Sequence, residues 1–302
     1  MDFTDIRILQ ELSRDGRQSA EAIGSKLSLT GNAVLRRIRT MRESGVISGR
    51  VAMPRLDSLG LSLSVHYFEN ELNTPSSGLL DVIAQLPNFY FGIACLNGDI
   101  LVATAESGLV SEREAFDSLQ QKLPHFRHFQ TFRSEENGRQ LSSETDLRIM
   151  LNMLKYPDLS VTELSTSLDM PVRTVNRRLS RLLTDGALRF TIEVQLSRID
   201  GSIPFYLLLD FDEEPTVEVQ GKIMSIFGGF MIFRVPFQKR RIVLALVAGN
   251  FEHIENGMSA VAGLRGLRQS MLMFPSRYMS RQSVAEGRIA ELLATYQSTR
   301  AH

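Results

Sequence analysis

Apolar residues first recur at helical spacing and then fall into short alternating runs, so the chain changes style from helices to strands as it is read. Ile6, Leu9 and Leu12 share one helical face, which Gly16 ends. Ser19 caps a second short helix with Ala22, Ile23 and Leu27 facing inward. Thr30 opens a third, with Val34, Ile38 and Met41 in one stripe, and Gly45 stops it before a turn into a short strand over Val46–Val51. Beyond that point Leu61–Glu69 reads as a strand and Leu79–Leu86 as a helix. Phe89–Cys95 and Ile100–Ala105 read as strands around the turn Leu96-Asn97-Gly98-Asp99, followed by a helix over Glu112–Leu123 and a strand over Phe126–Phe132.

The same pattern then begins again. Asp5-Ile6-Arg7-Ile8-Leu9 reappears as Asp146-Leu147-Arg148-Ile149-Met150, an offset of 141 that holds without a gap from Asp5–Gly60 to Asp146–Gly201. Only ten of those 56 positions are identical, among them Ser19/Ser160, Leu27/Leu168, Val34/Val175, Gly45/Gly186 and the pair Arg36-Arg37/Arg177-Arg178. The ungapped register and the matched apolar spacing carry the inference. Ser160 and Glu163 have capping-box spacing, and Pro171 stands where the first turn of a helix tolerates it. The later elements recur as Phe205–Phe211, Val217–Phe227, Phe230–Val235, Ile242–Val247, Glu252–Val261 and Gln269–Phe274.

Three short helices and a wing strand describe a winged helix-turn-helix, and the order βαββαβ is the ferredoxin-like motif. The expected fold is therefore α+β, with two winged helix-turn-helix domains (1–52 and 136–198, the latter opening within a polar linker over Ser134–Gln140) alternating with two ferredoxin-like βαββαβ domains (53–135 and 199–282). An amphipathic C-terminal helix over 283–302 completes it: Ser283 and Glu286 have capping-box spacing, and Ile289, Leu292, Leu293 and Tyr296 form its apolar face. That face is expected on its own ferredoxin-like domain or on a partner chain.

Composition narrows the function classes. The chain balances 34 basic against 34 acidic residues, so overall charge supports no nucleic-acid claim. The local balance differs: residues 1–50 carry nine Lys/Arg against six Asp/Glu, and 51–140 carry six against eleven. Cys95 is the single cysteine, which excludes an intramolecular disulfide framework and a cysteine cluster for zinc, and on an apolar strand it reads as core. The longest clean apolar run, Ile242–Ala248, is far short of the roughly 20 residues that a membrane helix needs. The N-terminus is polar and acidic, unlike a signal peptide, and a cytoplasmic protein is expected. Neither Gly228-Gly229 nor Gly263-x-x-Gly266 has the context of a phosphate loop. No catalytic group, metal or cofactor is expected.

The candidate chemistry lies on the third helix of each copy. With its core stripe on Val34, that helix points Asn32, Arg36 and Arg39 outward, and the second copy points Arg173, Asn176, Arg177 and Ser180 outward. Arg and Asn can make paired hydrogen bonds to guanine and adenine edges in the major groove. Arg37 and Arg178 lie nearer the apolar edge, placed for a phosphate or a structural contact. Double-stranded DNA is therefore the expected partner.

The run Asp5-x-x-Ile8-Leu9, Ser19, Leu27, Val34, Arg36-Arg37, Gly45-Val46-Ile47 and Leu59-Gly60 resembles the DNA-binding half of Lrp/AsnC (feast/famine) transcription regulators. Leu86-Pro87 through Asn97-Gly98-Asp99 to Leu119-x-x-x-Leu123-Pro124-x-Phe126 and Thr131 resembles their ligand-sensing half. The resemblance implies a sequence-specific transcription regulator that assembles into homo-oligomers through its ferredoxin-like domains. It also implies a small-molecule effector, an amino acid or other metabolite, near Asn97, Gly98 and Asp99. A tandem chain would then be a covalent pseudo-dimer. This sequence departs from the family in the sensing turn, which usually reads Gly, two residues, then Asp: here Gly98 precedes Asp99 directly and Leu101 takes the usual Asp position. The matching stretch Gln238-Lys239-Arg240-Arg241 has neither Gly nor Asp and reads as a solvated hairpin turn. Two other readings remain. Siroheme decarboxylases are built from the same two-domain unit, and their chemistry calls for His and Arg around an acidic tetrapyrrole. The five histidines here, His66, His125, His128, His253 and His302, do not recur between copies and read as surface or core. The third reading is an interaction scaffold that does not bind DNA.

Overall fold

The computed structural model describes residues 1–72, 74–134, 141, 143–237 and 239–300. Copy one runs α1 (Phe3–Arg14), α2 (Ala20–Leu27), α3 (Gly31–Glu43), β1 (Ile47–Pro54), a 3-10 turn (Leu56–Leu59), β2 (Ser62–Asn70), α4 (Leu79–Ile83), β3 (Phe89–Cys95), β4 (Ile100–Glu106), α5 (Leu109–Lys122) and β5 (Phe126–Arg133). Copy two repeats it as α6 (Glu144–Lys155), α7 (Val161–Leu168), α8 (Val172–Thr184), β6 (Leu188–Val194), a 3-10 turn (Leu196–Arg198), β7 (Ile203–Phe211), α9 (Val217–Phe227), β8 (Met231–Phe237), β9 (Arg241–Ala248), α10 (Phe251–Ala262) and β10 (Leu267–Met273). Two elements follow, β11 (Pro275–Ser280) and α11 (Ser283–Arg300). The expected polar linker lies, but for Ser134, outside the described residues.

The alternation along each sheet strand explains the layering. In β2 and β4, Val65, Tyr67, Leu101 and Ala103 face one core while Phe68, Ile100 and Val102 face another under α4 and α5. In β7 and β9, Tyr206, Leu208, Ala245 and Val247 face the first of these cores, and Phe205, Leu207, Ile242 and Leu244 face a third. Both faces of each sheet are therefore apolar, one toward helices and one toward the other sheet. The strand orders are β11-β3-β4-β2-β5 and β10-β7-β9-β8, the ferredoxin-like order in each copy.

Three features tie the copies together. The wing strands do not form hairpins of their own: β1 pairs antiparallel with β6, Arg50 opposite Ile192 and Val51 opposite Thr191. Strand β11 crosses from copy two to the edge of the first sheet, pairing with β3. Helix α11 buries Ala285 and Ile289 among Leu147, Met150 and Met153 of α6 and Leu59 of the 3-10 turn. It thus packs on the second winged helix and on copy one, not on its own ferredoxin-like domain as expected. In the stretch Lys239-Arg240-Arg241, expected as a solvated hairpin turn, Lys239 is exposed and Arg240 partly so, but the last residue departs from expectation. Arg241 is buried, its Nε lies 3.1 Å from the carboxylate of buried Asp210, and its guanidinium stacks on Phe132 of the opposite sheet at 4.8 Å.

Candidate nucleic-acid interface

Local capping chemistry sets the bounds of each helix-turn-helix. Ser19 and Ser160 cap α2 and α7, the latter through a full capping box with Glu163. Thr30 caps α3, its Oγ1 accepting the Ala33 amide at 3.2 Å, while α8 starts after Pro171 without a side-chain cap. The turn between the helices passes through Ser28 at φ 58° and Asp169 at φ 51°, equivalent positions in the left-handed region. Val34 and Met41 in α3, and Val175, Leu179 and Leu182 in α8, are buried against the preceding helices.

With that stripe inward, Asn32, Arg36, Arg39, Arg173, Asn176 and Arg177 are all exposed. Among the described residues their side chains make no ion pair or hydrogen bond, so their donors are available. The other two candidates are engaged. Arg37 Nη1 donates to Asp2 at 2.7 Å and Asp5 at 2.8 Å, and the hydrogen bond to Asp5 is the main reason its guanidinium is held above its ordinary pKa. Arg178 Nη1 donates to Ser143 at 2.9 Å and to the fully buried carboxylate of Asp146 at 3.0 Å. The equivalent pairs Asp5–Arg37 and Asp146–Arg178 clamp the first helix of each copy to its third.

Residues that the sequence reading missed fix the two winged helices to each other. Arg17 Nη2 donates to the carbonyls of Pro157 at 2.8 Å and Leu159 at 3.0 Å, with its guanidinium 3.8 Å over the Phe190 ring. Arg50 donates to Gly16 O at 2.6 Å and pairs with Asp158. Gly16 is itself demanded here, since a Cβ would stand 2.6 Å from the Thr191 carbonyl oxygen. One signal was available: at offset 141 the equivalent of Arg17 is Asp158, a charge reversal.

The sensing turn is a closed polar network. Buried Asp99 accepts from the Tyr67 hydroxyl, from the Asn70 amide at 2.9 Å and from Asn97 Nδ2 at 2.6 Å. Gly98, at φ +89°, has the Thr74 carbonyl oxygen 2.5 Å from where a Cβ would lie. The structure thus brings Asn97, Gly98 and Asp99 together, bonded to one another and to Tyr67 and Asn70. His66 is core, Nδ1 at 2.9 Å from Thr131 Oγ1, with burial pushing its pKa down to about 4. Cys95 is also core, its thiol pushed up to about 12 by burial. His125 and His253 are exposed, His128 is partly buried, and His302 lies outside the described residues.

Between the two sheets lies a cavity of about 820 Å³, with α1 and the β1–β6 ribbon contributing to its wall. Among the described residues no group of three or more His, Cys, Asp or Glu side chains could hold a metal ion, and no helix is long and apolar enough to cross a membrane.

Comparison with known proteins bears on this geometry. An AsnC-type helix-turn-helix domain matches residues 1–42, and a winged helix-turn-helix DNA-binding domain matches residues 142–189. The HTH-type transcriptional regulator Rv2324 of Mycobacterium tuberculosis is 45% identical over 60 residues, 20% of this chain and 40% of that protein. The chain thus spans well under half the length of that relative. The proline dehydrogenase transcriptional activator of Rhodobacter capsulatus is 30% identical over 130 residues, 41% of this chain and 84% of the activator. Among solved structures, the siroheme decarboxylase NirDL matches 98% of this chain and 100% of its own, with a TM-score of 0.51 and 13% identity, a likeness of fold that extends to the two-copy arrangement.

Proposed function

Because the chain belongs to the Lrp/AsnC family of transcription regulators, we propose that it is a sequence-specific DNA-binding regulator that presents α3 and α8 to double-stranded DNA as a covalent pseudo-dimer. The observation that carries the proposal is the division of labour within each Arg-Arg pair. Arg37 and Arg178 are committed to carboxylates on the preceding helices, while Arg36 and Arg177, at the same helical position in both copies, stand exposed without partners among the described residues. In this reading Arg36 with Asn32 and Arg39, and Arg177 with Arg173 and Asn176, read base edges, and the Arg17 and Arg50 contacts tie the two winged helices together. The protein acts in the cytoplasm without catalysing a reaction, assembles further through its ferredoxin-like domains, and responds to a small-molecule effector.

The test is binding to DNA from upstream of its own gene, followed by fluorescence anisotropy at several salt concentrations. Affinity should fall steeply with salt and exceed that for scrambled DNA, the slope counting phosphate contacts. Arg36→Ala should weaken specific binding by about 1–3 kcal/mol if it pairs with a guanine. Equal affinity of wild type for both DNAs at every salt would overturn the reading.

The alternative, a decarboxylase-like enzyme on the same frame, draws on the whole-chain likeness to NirDL and on the cavity between the sheets. Such a site needs an acid–base group. The described lining includes no histidine, and burial holds its tyrosines Tyr90, Tyr206 and Tyr278 above their ordinary pKa, Tyr90 at about 12. A strong visible absorption band in the purified protein would nevertheless favour the enzyme.

A further inference from the structure

The cavity between the sheets has a distribution of chemistry that selects a ligand class. Its walls are the inner faces of both sheets, Val65, Ile93 and Phe132 on one side and Leu208, Ile232 and Met273 on the other. Its charged lining is five arginines, Arg14, Arg55, Arg189, Arg234 and Arg281, against two carboxylates, Asp57 and Glu193. Asp57 accepts from Arg55 at 2.9 Å and Glu193 from the neutral Ser280 hydroxyl at 3.3 Å, so the arginines of the lining outnumber its carboxylates by three. Arg14 pairs with Glu11 and Arg234 with the Gln220 side chain, whereas Arg189 and Arg281 make no ion pair among the described residues. All but Arg234 are exposed, so the positive charge sits at the mouth and the apolar surface within. The wall is also incompletely satisfied, since buried Ser13 Oγ, Arg234 Nε and Gln282 Oε1 have no hydrogen-bond partner among the described residues. At about 820 Å³ the space falls within the range of roughly 300–1,000 Å³ typical of small-molecule sites.

We propose that this cavity binds an amphipathic anion, a molecule with an apolar body and at least one carboxylate. The body lies between the two sheets and the carboxylate pairs with Arg189 and Arg281 at the mouth. A free amino acid is too small and too polar to fill such walls. The site deepens the regulator reading, on which its role as an effector site rests. Gln10, Ser13 and Arg14 of α1, Val51 and Met53 of β1, and Thr191 of β6 all touch the cavity, so an occupant contacts the first winged helix and the ribbon that joins the two. A ligand can shift the spacing of α3 and α8 only by binding one arrangement better than another, and these contacts supply the means.

The binding limb is tested on the full chain without DNA. 8-Anilinonaphthalene-1-sulfonate, an apolar anion, should bind saturably with enhanced, blue-shifted fluorescence. Dodecanoate should displace it, while dodecylamine and L-leucine should not. The double variant Arg189→Gln/Arg281→Gln, both exposed positions, should fold as wild type by circular dichroism and lose at least about tenfold in dodecanoate affinity, the scale of a lost charge-assisted pair. Arg36→Gln should leave that affinity unchanged. Non-saturable binding, displacement by dodecylamine as readily as by dodecanoate, or undiminished affinity in the folded double variant would overturn the site. The effector limb is read separately. Saturating dodecanoate should change affinity for the upstream DNA at least about threefold, within the usual range of allosteric coupling, and unchanged DNA affinity would remove the effector role. Absence of DNA binding altogether would defeat the regulator reading while leaving the probe result to stand alone.

Discussion

Arg178→Ala separates the clamp from the reading head. In copy two the Asp146 carboxylate is completely buried and accepts from Arg178 at 3.0 Å and from Arg181 at 3.1 Å. Removing one partner of a buried pair typically costs about 3–5 kcal/mol, because the remaining charge is stranded without water. Here Arg181, itself 61% exposed, stays behind as a second donor, which places the expected loss near the lower end, about 3 kcal/mol. Copy one supplies an internal control. Arg37 is held by Asp5, 14% exposed, and Asp2, 54% exposed, so water can solvate what the substitution leaves behind. Arg37→Ala should therefore cost about 1 kcal/mol or less, as exposed pairs do. Arg177→Ala, with no partner to lose among the described residues, should stay within about 0.5 kcal/mol of wild type. The assay is urea unfolding followed by far-ultraviolet circular dichroism, comparing midpoints at unchanged slope. Equal losses at Arg37 and Arg178, or a loss at Arg177 as large as at Arg178, would refute the assignment of clamp and reading head.

Ile289 of α11 is fully buried against α6, so Ile289→Ala should destabilise the protein by about 2–4 kcal/mol in the same assay, and a neutral result would mean that α11 does not dock there. Glu106 is buried at the end of β4 with Oε2 unpartnered among the described residues; burial first, then the charge of Glu112, raises its pKa to about 7, against the opposing hydrogen bond from Thr104. Its proton is thus held more tightly folded than unfolded, so the cost of keeping it is absent below pH 4.5, grows as pH rises and levels off above about 7. Relative to wild type, Glu106→Gln should gain about 3 kcal/mol of unfolding free energy between pH 4 and pH 8; a pH-independent difference would show that the carboxyl ionises freely in the fold.

The elements of both copies were legible because local signals agreed with tertiary need: caps at Ser19, Thr30 and Ser160, stop glycines at Gly45 and Gly186, and alternation in the sheet strands. Two things were not, and a third was so only in part. Strand β11, Pro275–Ser280, has neither alternation nor β-branched residues and exists because β3 offers an open edge. The docking of α11 on α6 depends on which apolar surface is left uncovered, and an amphipathic face does not encode its target. The state of the candidate site was half legible. Helical phase placed Arg36 and Arg177 outward and put Arg37 and Arg178 near the apolar edge, but it could not choose between a phosphate and a carboxylate for the latter. The repeat held a further clue, since Asp5 and Asp146 are identical for the same reason as Arg37 and Arg178, each being half of one clamp.

The contacts between the copies explain what fusion allows that a dimer of identical units does not. In the β1–β6 ribbon Arg50 faces Ile192 and Val51 faces Thr191, and since 50 and 51 are equivalent to 191 and 192, a pseudo-two-fold axis passes between these pairs. In an identical pair of chains every contact across such an axis is repeated, so a charge placed at one position appears at both. The tandem chain is free of that constraint. Position 17 is Arg and its equivalent is Asp158; position 50 is Arg and its equivalent is Thr191. Arg50 can then pair with Asp158 while Arg17 bonds the carbonyls of Pro157 and Leu159, the two neighbours of its own counterpart. A second asymmetry follows at the sheets, where one edge strand, β3, is capped by β11 from the other copy. Divergence at equivalent positions thus lets one arrangement of the winged helices be favoured over its mirror pairing, at the place where both helices hang from a shared ribbon beside the cavity. An unsymmetrical ligand between the sheets would meet two different walls.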